Sequence, residues 1–226
     1  MITPDLIERS NRKTLSLFVM KDGNVVVKAP INLEDEVIDR FVSEKQDWIR
    51  DKLMLVNKTK LKFEDVMKYK KFLLYGNKYS LLLSDVKKIE TNDNFQIVIP
   101  GKTEPQNIIK VLRSWYKKIA KEILQDRLNF LESRVRLKST SMKITDSTGK
   151  WGSCSSRGVI CFNWRVIMLP PQIIDYVIIH ELCHLVEMNH SKNFWHQVCT
   201  FLPSTPKLKE EIKEYGFLLS MFRDDK

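Results

Sequence analysis

No apolar run in this chain approaches the roughly 20 residues of a membrane-spanning helix. Its first residues, Met1-Ile2-Thr3-Pro4-Asp5-Leu6, lack the basic-then-apolar pattern of a secretory signal, so cytoplasmic residence is expected. Cysteine is scarce: Cys154, Cys161, Cys183 and Cys199 are the four, and no two form a C-x-x-C pair. That spacing argues against a four-cysteine zinc knot and predicts reduced, mostly buried thiols. There is no glycine-rich phosphate loop of the G-x-x-x-x-G-K-S/T kind, no internal repeat and no low-complexity segment. Histidine is as scarce as cysteine, but it is not scattered. All four histidines lie between residues 180 and 196.

A hydrophobic content of 43% with 29% charged residues describes a globular protein, and 226 residues can bury one larger core or two small ones. The net charge of +10 opens a nucleic-acid reading. Lysines are dense at Lys58, Lys60, Lys62, Lys68, Lys70 and Lys71, and basic residues recur from Lys110 to Lys138. Acidic residues are interspersed, however, and lysine-rich faces are usually just solvated. The same field would favour an acidic or phosphate-bearing substrate.

The histidine cluster reads His180-Glu181-Leu182-Cys183-His184, followed by Leu185-Val186-Glu187-Met188-Asn189-His190. Residues four apart on a helix share one face, about 6 Å apart along the axis, so His180 and His184 can bind one zinc ion. Glu181 projects about a quarter-turn away and can reach water on the same metal, which is the logic of the H-E-x-x-H motif. A catalytic zinc usually takes three protein ligands and keeps one open position. His190 is the candidate third ligand, with Glu187 as its rival. His196 falls in the next helix, as a supporting or structural residue. To bring His190 back, the chain must leave the helix; Asn189 tolerates the left-handed conformation that ends helices, and Ser191 can cap a helix from Lys192. The longer H-E-x-x-H-x-x-G-x-x-H pattern puts its third histidine at this offset, but Glu187 stands in the glycine's place and no Met-turn follows, so that clan is not assigned.

The pattern predicts an α+β fold. Residues 14–20 and 25–28 flank a hairpin turn at Lys21-Asp22-Gly23-Asn24. Asn32 is placed to cap a helix running to about Val56, with Ile38, Phe41, Val42, Trp48, Ile49 and Leu53 as its core face, and 57–71 is expected to be a connector. Two further hairpins, around Gly76-Asn77 and Asn92-Asp93-Asn94, complete a small, mostly antiparallel N-terminal sheet with one helix over residues 1–102. From 103 to 226 the expected region is helical with a β-sheet. Thr103 with Gln106 resembles a capping box, and a long helix follows to about Val135 with Ile108, Leu112, Trp115, Ile119, Ile123, Leu128 and Leu131 on one stripe. Strands at 142–145 and 158–168 then lead to Pro170-Pro171 and the histidine helix. Between the strands, Trp151-Gly152-Ser153-Cys154-Ser155 is either a tight turn with a tryptophan anchor or a cleft wall offering main-chain groups to an extended substrate.

Several of these segments together resemble a known family. Trp151-Gly152-Ser153-Cys154-Ser155, Asn163-Trp164-Arg165, Asp175 through His184, Asn189-His190-Ser191 and Phe194-Trp195 are similar to the YgjP-like metallopeptidases, relatives of the SprT and WLM zinc-dependent proteases. The likeness is specific over about 141–203 and agrees in order and length over nearly the whole chain. It implies a zincin-like catalytic domain, in which a small sheet's edge borders the active-site helix. His180, His184 and His190 would be ligands and Glu181 the base. Cys183 stands where alanine is common. SprT and WLM relatives act on proteins attached to DNA, which by analogy gives the basic surface a use.

The leading expectation is therefore a zinc-dependent peptidase acting on a peptide or protein, with Tyr176, Arg165 and the 151–155 backbone as candidate oxyanion partners. A metal-dependent phosphohydrolase acting on nucleotides is a second reading. A nucleic-acid module with a structural metal is a third.

Overall fold

Val25, Val27 and Ala29 stand two apart, so in an extended segment they share a face that must find apolar cover. They do so in a computed structural model that describes residues 2–20, 22–69 and 71–222, with only the backbone of 58–69. The chain divides into two compact units, Met1–Lys62 and Phe63–Lys226.

In the first unit, β1 (Leu6–Ser10), β2 (Ser16–Val19) and β3 (Val25–Pro30) form a sheet in the order β1-β3-β2. β2 is antiparallel to β3, as the hairpin signal predicts, with Gly23 at φ 98° in the turn. Lys21 lies outside the described residues. β1 runs parallel to β3. Its five residues are all exposed, so it carries no burial pattern by which the sequence could announce it.

The single helix expected from Asn32 is two helices, α1 (Asp35–Glu44) and α2 (Gln46–Tyr69). Glu34, not Asn32, holds the N-cap position, and Lys45 leaves helical geometry at φ −104°, ψ 11°. At the break, the Gln46 amide accepts from Ile2 N (2.7 Å) and donates to Ile2 O (2.8 Å), pinning the N-terminal segment. Ile38, Val42 and Ile49 enter the core with Val25, Val27 and Ala29, whereas Trp48 is 40% exposed and does not. Where a connector is expected at 57–71, residues 57–69 continue α2 and Lys71 opens a strand, with Lys70 outside the described residues. The side chains at Lys58, Lys60, Lys62, Lys68 and Lys70 lie outside the described residues.

The second unit opens with the sheet β4 (Lys71–Leu74), β5 (Asn77–Ser84), β6 (Glu90–Asn92) and β7 (Gln96–Pro100), in the order β4-β5-β7-β6. β5 and β7 are parallel, so the sheet is mixed. α3 (Ile108–Val135) buries Leu112, Tyr116, Ala120, Leu124, Leu128 and Leu131, a near-continuous row at i+4 spacing, while Ile108, Trp115, Ile119 and Ile123 flank it. A 3-10 turn (Pro105–Asn107) precedes α3 in place of a side-chain capping box. Arg136, at φ 57°, ends the helix. Phe72, Leu74, Ile97 and Ile99 share one core with this helix, so residue 102 falls inside the second unit.

A third sheet, β8 (Ser141–Thr145), β9 (Gly152–Cys154) and β10 (Val159–Asn163), has the order β8-β10-β9. The expected strand 158–168 stops at Asn163 and becomes a 3-10 turn over Trp164–Met168. α4 (Pro171–Cys183) follows, then α5 (Lys192–Phe201), α6 (Thr205–Glu211) and a 3-10 stretch (Ile212–Ser220). Tyr75 N donates to Ile167 O (2.8 Å) and Gly76 N to Met168 O (3.1 Å), tying the β4–β5 turn to the approach to α4. A side chain at Gly76 would meet Pro170 at 3.0–3.3 Å. No helix among the described residues is long and apolar enough to cross a membrane.

Candidate metal centre

α4 is apolar on almost every side. Ile173, Ile178, Leu182 and Cys183 are fully buried, so its register against the core is fixed and the polar residues near its C-terminal end cannot rotate freely. Proline at its first positions suits a helix start, where an N–H has no intrahelical partner. The helix ends at Cys183, with His184 at the C-cap, so the second histidine of the pair sits where helix becomes turn.

The reversal after His184 is built differently from the expected left-handed asparagine. Asn189 is not among the residues with positive φ. Its Oδ1 accepts from Ser191 N (2.9 Å), and Ser191 Oγ accepts from Phe194 N (3.2 Å), which starts α5 as predicted. This pair of side-chain-to-backbone turns folds residue 190 back over α4.

His180, His184 and His190 each offer a ring nitrogen, and these nitrogens all lie within 4.8 Å of one another. His180 Nε2 and His190 Nε2 are 3.1 Å apart. Two nitrogens bound to one zinc at tetrahedral geometry would be about 3.3 Å apart. His184 Nδ1 lies 2.9 Å from Glu187 O, so that nitrogen donates its proton and leaves Nε2 with a lone pair. Burial pushes His180 down to about 3, with the neighbouring His184, His190 and Lys209 adding to the effect, and His190 is lowered chiefly by burial as well. Both rings are therefore neutral at neutral pH, the form that binds cations. The donor set fits a divalent metal. Glu187 contributes its main-chain carbonyl, and its carboxylate is not in the ligand group. His196 lies in α5 outside that group.

Phe194 forms the floor of the centre. It is fully buried, stacks on His184 (centroids 4.4 Å, 23° between planes) and meets His180 and His190 edge-on at 4.9 Å each. Trp195 stacks on His190 at 5.7 Å and carries Lys209 Nζ 3.9 Å from its ring centre.

Glu181 is 5% exposed, and its Oε2 is buried with no hydrogen-bond partner among the described residues, as is His180 Nδ1. Burial pushes the Glu181 carboxyl up to about 7, partly offset by Lys150. Gly152 is what makes room for it: a Cβ there would stand 2.6 Å from Glu181 Oε1.

A cleft of about 450 Å³ surrounds these groups and brings together Trp151, Gly152, Ser153, Cys154 and Tyr176 with His180, Glu181, His184 and His190. Within 151–155, Gly152–Cys154 is an edge strand, so the stretch is not a bare turn. Asn163 N donates to Trp151 O and Ser155 N to Val159 O, so the odd-numbered residues face β10. By the alternation of an antiparallel ladder, Gly152 and Cys154 turn their main-chain groups to the open edge. Burial holds the Tyr176 phenol up at about 12 and the Cys154 thiol up at about 11, so both are protonated at neutral pH.

Arg165 does not belong to this cleft. It is 0% exposed, bonded through Nη1 to Asp146 (2.6 Å) and through Nε and Nη2 to Met221 O (2.9 and 2.5 Å). A sequence pattern gives no sign that this arginine is a core residue. Lys150, Val177, Met188 and Ile212 also line the cleft and escape sequence reasoning, because three of them look like ordinary apolar positions and Lys150 like one lysine among many.

An α+β fold whose buried helix presents clustered imidazoles beside a carboxylate has the makings of a metallohydrolase. More narrowly, the YgjP-like metallopeptidase domain matches residues 13–215, and the chain belongs to that family. Among solved structures the chain is similar to the metallopeptidase zymogen abylysin of Pyrococcus abyssi, with 23% identity over 39% of this chain and 90% of that one, and a TM-score of 0.37. No curated protein matches.

Proposed function

We propose that this metallopeptidase uses zinc held by His180, His184 and His190, with Glu181 as general base, to hydrolyse an extended peptide or protein segment. The observation that carries the reading is the convergence of three imidazole nitrogens beside a buried carboxylate oxygen that has no hydrogen-bond partner among the described residues. A set of nitrogen donors without thiolates suits zinc. A cation there would polarise the scissile carbonyl and allow water to attack near neutral pH.

The other steps belong to the chain's own residues. Glu181 takes the proton of the attacking water through its buried Oε2 and returns it to the leaving amine. Gly152 and Cys154, facing the open edge of β9, would pair with the substrate main chain and hold it extended along the cleft. Tyr176, protonated at neutral pH and on the same helix face as His180, is the side chain suited to donate to the carbonyl oxygen as negative charge develops. Val177, Met188 and Ile212 give the cleft an apolar wall for a substrate side chain.

Metal analysis and peptide hydrolysis, run together on variants, test the assignment. Glu181→Gln is expected to keep its zinc and to lose about 10²–10⁴ in turnover, whereas His184→Ala loses both. Full activity in Glu181→Gln, or stoichiometric zinc in His184→Ala, would refute it.

A further inference from the structure

Asn163 is fully buried at the end of β10, and the chemistry above gives it no part. Both polar atoms of its side chain and its main-chain N–H are nevertheless engaged. Its Nδ2 donates to Ser147 O and to Lys150 O (3.4 Å), and its N–H donates to Trp151 O (2.7 Å). Its Oδ1 accepts from Arg165 N at 3.0 Å. One side chain therefore reaches across the 146–151 loop and holds both ends of the stretch that delivers Lys150, Trp151 and Gly152 to the cleft.

The start of that loop is held a second time, by Asp146. Its Oδ1 accepts from Trp164 Nε1 (2.9 Å) and Arg165 Nη1 (2.6 Å), and its Oδ2 from Arg113 and Lys117 (2.7 Å each). Asp146 thus binds the loop to α3, and Asn163 binds it to β10. Residues 163–165, consecutive in sequence, act on the loop from beneath while their side chains stay out of the cleft. A loop whose carbonyls were unheld would be free to shift, and with it Gly152, whose missing Cβ is the space that Glu181 occupies.

We propose that Asn163 is a positioning residue that, through Ser147 O and Lys150 O, sets the substrate-facing wall 150–154 of the cleft. The inference rests on the peptidase reading for its kinetic arm only. The test is Asn163→Asp in the full-length, zinc-loaded protein. That substitution keeps size and the acceptor to Arg165 N but replaces both loop-holding donors with acceptors. Amide exchange over 147–152 is expected to accelerate about tenfold with α4 protection unchanged. Zinc content should stay at the wild-type level, and KM for a peptide substrate should rise about tenfold with kcat altered less than threefold. Unchanged exchange over 147–152 would overturn the proposal. So would a loss of protection spread equally over α4 and accompanied by loss of zinc, which marks Asn163 as a general stability residue, or a fall in kcat alone. Should the aspartate variant fail to fold, Asn163→Ser removes the same reach without adding charge and is judged by the same exchange criterion. In the wild type, exchange over 147–152 as fast as in an unstructured peptide would by itself overturn the proposal. If no peptide is cleaved at all, the proposed function falls while the exchange measurement still decides this point.

Discussion

Replacing Gly152 with alanine adds one methyl group at the most crowded point of the cleft. Its Cβ would lie 2.6 Å from Glu181 Oε1, 2.7 Å from Cγ and 2.8 Å from Cδ, against an ordinary carbon–carbon contact of about 3.5–4.0 Å. An overlap approaching 1 Å at three atoms must be relieved. α4 cannot retreat, because Ile178 and Leu182 are fully buried on its other faces, and β9 is bonded to β10. Glu181 must therefore rotate. An off-rotamer side chain costs about 0.5–1.5 kcal/mol, so thermal stability should fall only slightly. Moving a reacting group by about 1 Å costs about 10²-fold in rate, or about 2.7 kcal/mol of barrier. Gly152→Ala is thus expected to lower kcat about 100-fold, while zinc content stays at the wild-type level because the three atoms nearest the added methyl all belong to Glu181. Gly149→Ala is the control, since a Cβ there has nothing within 4 Å and should be silent. Steady-state hydrolysis of a fluorogenic peptide, zinc analysis and thermal unfolding of both variants make the comparison. A Gly152→Ala protein with kcat within threefold of wild type would refute the claim that glycine makes room for the base.

Two further predictions concern what surrounds the centre. Phe194→Ala removes the shared floor of three imidazoles; it should cost about 3–5 kcal/mol of stability by cavity formation and weaken zinc binding about tenfold, read by denaturant unfolding and by competition with a chelator. Asp146 is expected to contribute to acid stability. Burial alone would raise its carboxyl, but donors from Lys117, Arg113, Trp164 and Arg165 hold it well below the usual carboxylate range. A depressed folded value means the stabilisation is present above the unfolded value near 3.9 and is lost as pH falls below it. Asp146→Asn should therefore be less stable by about 3–5 kcal/mol at pH 7, because it leaves buried Arg165 without its carboxylate. The gap should narrow as unfolding is followed down to pH 3, and a gap independent of pH would refute the assignment.

The sequence was most legible where chemistry constrains spacing. His180, Glu181 and His184 follow from a helical period, and Ser191 from capping preference. α3 was readable for a related reason, since a long apolar stripe ends at Val135 where the helix ends. Legibility failed where a partner far along the chain decides the outcome. β1 is a strand only because β3 offers it an edge, and no pattern within Leu6–Ser10 records that. The break at Lys45 depends on Gln46 reaching back to Ile2, 44 residues away. Arg165 looks like a cleft cation by type, yet its guanidinium is spoken for by Asp146 and Met221, and the second lies 56 residues downstream. Glu187 is a rival ligand by its carboxylate, yet its contribution is a carbonyl that any residue would supply.

That last contact explains why a bulky acidic residue is tolerated where the longer histidine pattern places glycine. The orientation of the second imidazole is dictated by peptide geometry at 187, with no demand on the side chain and no left-handed torsion there. Evolution is thereby left free to vary this position, and with it the charge presented at the rim, without retuning the ring beneath. A cation drawing electrons from the far side of that ring would also make its N–H a stronger donor. Loading should then tighten the bend between the helix and His190, so that occupancy and local rigidity rise together.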